Sequence, residues 1–152
     1  MESVELFFNT NSVSPTLFVG LGGSGSLIVD RIASKLSRRW NKEQYRNLVH
    51  FFAIDTNVAD LERVSNVPPG NRILISDFDK RAYVGQKRGE AHMPVDEYCT
   101  QWLPDWYDFR ASRGSGAGQV RIESRLSLYY QLVRDRGEII RRFNEAIYLA
   151  KD

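Results

Sequence analysis

The stretch Thr16-Leu-Phe-Val-Gly20-Leu-Gly22-Gly23-Ser24-Gly25-Ser26 constrains the fold of this chain more than any other segment. A short apolar run ends on a glycine cluster and passes directly into a helical pattern. This strand, turn and helix arrangement lets backbone N–H groups and the positive end of a helix converge on an anion. Gly20, Gly22 and Gly25 satisfy G-x-G-x-x-G, with Gly23 in addition. Glycines there allow a tight turn, close approach of backbone to phosphate oxygens, and close packing of helix on strand. A phosphate site in an α/β fold is the first expectation.

The pattern downstream extends it. Leu17–Val19 is a continuous apolar run, as in a strand covered on both faces. Leu27, Ile28, Ile32, Leu36 and Trp40 recur at helical spacing, which predicts a helix over 25–40 with Asp30, Arg31, Lys35 and Arg38 on its other faces. His50–Asp55 reads as a second buried strand ending on an acid, Val58–Val64 as a short helix, and Arg72–Ser76 as a third strand after the turn signals Pro68-Pro-Gly-Asn71. The βαβαβ order predicts an α/β, Rossmann-like parallel sheet with flanking helices, formed as a single domain over 1–152. Residues 77–113 break the rhythm and read as an irregular aromatic insertion, with Pro94 and Pro104 interrupting any long helix. Tyr98, Trp102, Trp106 and Phe109 in that segment suggest a patch that covers the sheet edge or meets a partner. A second glycine cluster, Gly114, Gly116 and Gly118, then opens a helical region over 120–150, broken near Gly137. Its apolar stripe is read as Leu126, Tyr129, Tyr130, Val133, Ile140, Phe143 and Ile147.

Composition removes several function classes. A formal net charge of +2 is too small to imply a nucleic-acid or membrane partner by itself, and the clusters Arg31–Arg39 and Arg110–Arg142 read as solvated helix faces. Cys99 is the single cysteine, and His50 and His92 lie far apart, so neither a disulfide framework nor a zinc set is spelled out. A reduced lone thiol fits a cytoplasmic location. No apolar run reaches the length of a membrane span.

The residues also sort the nucleotide folds. Gly20–Ser26 has the spacing of a Walker loop up to its last glycine, but Ser26 stands where the phosphate-reaching lysine is required. A dinucleotide fold asks for an acid at the end of the second strand, and Asp55 stands there, later than the usual spacing of about twenty residues. An NAD-binding Rossmann domain of an oxidoreductase therefore stays open, as does a nucleotide-free interaction module using the aromatic segment. Two glycine loops and the Asp55–Asn57 loop can together surround a chain of phosphates, with Arg113 or Arg121 as a further charge.

Three segments, Pro15-Thr-Leu-Phe-Val-Gly-Leu-Gly-Gly-Ser-Gly25, Phe52-Ala-Ile-Asp-Thr-Asn-Val-Ala-Asp-Leu61 and Gly116-Ala-Gly-Gln-Val120, make the chain resemble the tubulin/FtsZ superfamily, and bacterial tubulin-like proteins in particular. The resemblance implies the N-terminal portion of a tubulin/FtsZ-type GTPase domain carrying its first three phosphate-binding loops. It implies GTP or GDP with Mg2+ as cofactors, and self-association into filaments when the domain is whole. Gly20, Gly22, Gly23, Ser24, Gly25 and Ser26 would then form the loop on the α- and β-phosphates. Asp55, Thr56 and Asn57 would lie beside the outer phosphates, with Asp55 on the metal, and Gly116, Ala117 and Gly118 would face the γ-phosphate. No catalytic residue is assigned, because the family draws its water-positioning acids from the neighbouring subunit. The family's fourth loop, a G-G-G-T-G-T-G run, does not occur in these residues. The expectation is an incomplete domain whose first strand forms an open edge that a partner or a further strand would cover.

Overall fold

A computed structural model of the chain describes residues 14–89, 101–104, 106–109, 116–118, 120–134 and 138–149. Arg113, Gly114, Tyr98, Cys99 and His92 lie outside them. Strand β1 (Thr16–Leu21) leads into helix α1 (Gly22–Arg39), a short α2 (Lys42–Tyr45), β2 (Val49–Asp55) and α3 (Val58–Glu62). A 3-10 turn at Pro69–Asn71 then delivers β3 (Arg72–Leu74), followed by α4 (Lys80–Gly89), α5 (Arg121–Arg134) and α6 (Glu138–Leu149).

The three strands form one parallel sheet in the order β1-β2-β3. Gly20 lies opposite Ala53 and Leu21 opposite Ile54, while Asp55 pairs with Leu74. Alternation along β2 sends successive side chains to opposite faces. Val49, Phe51 and Ala53 join Val29 and Ala33 of α1 and Leu61, Val64 and Val67 on one face. Phe52 and Ile54 join Ile73, Ile75 and, from α6, Ile139 and Ala146 on the other. The Phe52 and Phe143 rings meet edge to face at 4.9 Å, which seats α6 on the sheet. The Rossmann-like α/β arrangement expected from the βαβαβ order is therefore the one formed, with β2 buried on both sides.

Several boundaries and registers differ from the sequence reading. Helix α1 begins at Gly22 rather than near residue 25, because Gly22 takes a positive φ of 71° and turns the chain at once. Its buried positions are Ser26, Val29, Asp30 and Ala33, whereas Leu27 and Ile28 are exposed. Asp30 is not on a solvated face. Its Oδ1 accepts from the Asn66 and Val67 N–H groups at 2.6 and 3.2 Å, and its Oδ2 from Asn66 Nδ2 at 2.8 Å. The carboxylate thus fastens the loop after α3 to α1. Arg31, Lys35, Arg38 and Arg39 are exposed, as read. β1 extends one residue earlier and two later than Leu17–Val19, and Val19 and Leu21 are exposed rather than covered. Among the described residues it is an edge strand.

The segment 77–113 contains a ten-residue helix, α4, where only irregular chain was expected. Its described aromatics are mostly interior. Phe78, Val84, Phe109, Leu126 and Tyr130 make a third core cluster, with Trp102 and Tyr107 packed against it. The Phe78 and Tyr130 rings stack at 3.7 Å. Of the described aromatics read as covering the sheet edge or meeting a partner, Trp102, Trp106 and Phe109, Trp106 stands in solvent at 82% exposure and Phe109 is buried. In the region read as helical, α5 runs to Arg134 and α6 from Glu138, and the expected break at Gly137 lies outside the described residues; α6 buries Ile139 and Ala146 and exposes Ile140 and Ile147, one position off the stripe read from sequence. Val133 is likewise exposed.

Candidate functional site

The carboxyl ends of parallel strands, where chains leave the sheet for helices, are where ligands bind in open α/β folds. Here β1 delivers the first glycine loop to that end and β2 delivers Asp55–Asn57 beside it. The first loop is built on a close backbone contact. A Cβ at Gly20 would lie 2.5 Å from the carbonyl oxygen of Gly25 and 2.8 Å from Cα of Ser26. Only glycine lets the end of β1 touch the first turn of α1 this closely. The first turn of α1 carries no acidic residue, and its N-cap residue Leu21 supplies no side-chain hydrogen bond. Gly22 and Ser24 are exposed over this helix end, and Ser26 is fully buried beneath it. A helix start left without a capping oxygen, under an open glycine loop, can take an anion.

Asp55 ends β2 and is 5% exposed. Its Oδ1 accepts from the Asn57 N–H at 2.9 Å, forming a local turn, while Oδ2 is buried without a hydrogen-bond partner. Ser26 Oγ is also buried and unpartnered. Unsatisfied buried oxygens are costly, about 1–3 kcal/mol each, and a ligand, ion or water that engages them would offset that cost.

Asn57 has two tasks. Its Oδ1 caps α3 by accepting from the Ala59 N–H at 3.1 Å, and its Nδ2 donates to Asp60 Oδ2 at 3.0 Å. This is a variant of the capping box, with the acid at the third helical position. A Cβ on Gly23 would come within 3.1 Å of Asp60 Oδ2. Asp60 therefore borders the first loop, although the sequence reading did not select it. The N-x-x-D spacing just ahead of a helix was its available signal.

Thr56 joins the second glycine loop to this end of the sheet. Its carbonyl oxygen accepts from the Gly116 N–H at 3.0 Å and from the Ser76 hydroxyl, and its Oγ1 accepts from the Ala117 N–H at 3.0 Å. Gly116 has φ 82° and Gly118 φ 57°, so the loop turns through two left-handed residues. A Cβ at Gly116 would lie 3.2 Å from Cβ of Asn57, so the two loops are in contact. Two of the loop's N–H groups are engaged by Thr56, and Gly118 is the exposed one. Ser76, which no motif marked, completes this link. Arg121 is exposed at the start of α5. Gly20, Gly22–Ser26, Asp55–Asn57 and Gly116–Gly118 are thus gathered at one end of the sheet from three separate parts of the chain. Among the described residues no group of three or more His, Cys, Asp or Glu side chains could hold a metal ion by itself.

A doubly wound α/β domain with glycine loops at the carboxyl ends of its strands is the class that this arrangement defines. The sequence model of a family described as tubulin like matches residues 17–152, and the chain belongs to this tubulin-like family. Comparisons with curated proteins and with solved structures gave no match. No helix among the described residues is long and apolar enough to cross a membrane.

Proposed function

We propose that this tubulin-like protein binds GTP and GDP with Mg2+ at the carboxyl end of its sheet and is the nucleotide-binding part of a polymer-forming GTPase. The observation that carries the proposal is the buried, unpartnered Asp55 Oδ2 next to an uncapped helix start lined by glycines. Phosphate oxygens suit the N–H groups of Gly22–Gly25, and the neutral Ser26 hydroxyl beneath them can donate to a phosphate oxygen or to bound water. A phosphate chain beside Asp55 and Asp60 needs a cation to offset like-charge repulsion. Mg2+ suits that need, since it binds through one or two carboxylates together with phosphate oxygens and water. Asp55 is the ligand or water-mediated contact on the protein side. Gly118 is the N–H of the second loop best placed to reach a terminal phosphate, and Ala117 joins it only by leaving Thr56 Oγ1. No side chain here is assigned as general base. Hydrolysis would require acids from a neighbouring subunit, which ties turnover to self-association.

Asp55→Asn tests this directly. It keeps the turn to the Asn57 N–H and removes the charge. Calorimetric titration should show GTP affinity in Mg2+ reduced about tenfold or more, with little change when Mg2+ is chelated. An unaltered Mg2+ dependence would remove Asp55 from the metal side of the site.

A further inference from the structure

Behind the second glycine loop lies a buried polar group that the site as described does not use. Lys80, the first residue of α4, is 1% exposed, and its Nζ donates to Glu123 Oε2 at 2.8 Å. Glu123 is 0% exposed, and its Oε1 accepts from the Tyr107 hydroxyl at 3.1 Å. Three segments separated in sequence thus meet on one carboxylate. We infer that Lys80, Glu123 and Tyr107 are positioning residues that hold the second glycine loop where it meets the terminal phosphate, so that they set the preference for nucleoside triphosphate over diphosphate. The inference rests on the nucleotide reading above.

Connectivity supports it. Glu123 sits in the first turn of α5, and its N–H donates to the Val120 carbonyl at 3.1 Å, while the Val120 N–H donates to the Ala117 carbonyl at 3.0 Å. A displacement of Glu123 is therefore passed through two backbone bonds into Gly116–Gly118. On the other side, Lys80 follows directly on the segment that carries Ser76, whose hydroxyl binds the Thr56 carbonyl. The ion pair and Thr56 accordingly grip the loop from both ends. Tyr107 is itself fixed, since Arg81 of α4 donates to the Phe109 carbonyl at 3.2 Å and pairs with Asp108 at 2.7 Å.

The energetics point the same way. Burying two charges is no efficient route to stability, because desolvation offsets most of their attraction, and an apolar pair of the same volume does as well. What a buried pair supplies is a single register between the elements it joins. Here those elements are α4 and the first turn of α5, close in the chain to the exposed Gly118. A glycine loop with two residues at positive φ has little side-chain packing of its own to hold it. Its position has to be set from outside.

The test uses the full chain, titrated with GTP and with GDP in Mg2+. Tyr107→Phe removes one bond to Glu123, and the double variant Lys80→Met/Glu123→Gln removes both charges while keeping shape. GTP affinity should fall about tenfold in the double variant and about threefold in Tyr107→Phe, with GDP affinity within about twofold of wild type in both. An unchanged ratio of GTP to GDP affinity, or an equal loss of both, in folded protein would overturn the inference. If the double variant does not fold, Tyr107→Phe alone decides. A wild-type chain that binds neither nucleotide would instead overturn the nucleotide reading, and this inference with it.

Discussion

Gly20→Ala should lower stability by about 3 kcal/mol, the upper end expected for forcing one methyl into a packed site. The added carbon would sit 2.5 Å from the Gly25 carbonyl oxygen and 2.7 Å from its carbon, both of them backbone atoms that cannot swing aside. Either β1 or the first turn of α1 has to move. For a domain of this size the thermal midpoint should fall by roughly 9 °C, at about 3 °C per kcal/mol. Phosphate binding should fall with it, because the displaced turn is the one that carries Gly22–Ser26. Gly22→Ala provides the contrast. Nothing lies within 4 Å of its Cβ, and only the φ of 71° opposes it. That backbone strain is worth about 1–2 kcal/mol. Differential scanning calorimetry of both variants checks the ordering. Equal midpoints, or a Gly20→Ala midpoint within about 2 °C of wild type, would show that the contact between strand and helix is looser than described.

Lys80→Met alone should be the more damaging change, at about 4 kcal/mol, because it leaves the Glu123 carboxylate buried without its cation. The double variant Lys80→Met/Glu123→Gln should recover more than half of that loss, since an amide can still accept from Tyr107 and no net charge stays inside. Urea denaturation of the two variants measures the difference. If both lose the same amount, the destabilisation arises from altered packing around α4 and not from the ion pair. The surface pairs that Arg141 makes with Glu138 and Glu145 have no comparable weight, being solvated on a helix face.

Much of the architecture was legible from residue patterns. The two apolar runs before Gly20 and Asp55 named the two principal strands, since a buried parallel strand has no polar face to show. The glycine spacing located the turn, and Asp55 at a strand end located the acid. Helix register was not legible. In α1, Leu27 and Ile28 compete with Val29 and Ala33, and only the sheet decides that the smaller residues face inward. α6 repeats the ambiguity with Ile139 against Ile140. The burial of Asp30 was not legible, because nothing in the sequence announces that Asn66 and Val67 present N–H groups to it 36 and 37 residues later. The same holds for Lys80 and Glu123, separated by 43 positions. Charged residues default to the surface in any pattern reading, and a buried pair becomes visible only once both partners are placed. The packing of the aromatic segment was not legible for a related reason: Phe78 and Phe109 find their place only once Leu126 and Tyr130 of α5 are beside them.

Binding selectivity is the most direct test of the central claim. Calorimetric titration of the full-length protein with GTP, ATP and NAD, each with and without Mg2+, separates the three nucleotide folds that share a glycine-rich first turn. Binding of GTP in preference to the other two, strengthened by Mg2+ and abolished by Gly23→Val through steric exclusion of phosphate, is the predicted result. Tight binding of NAD with no response to GTP would contradict it.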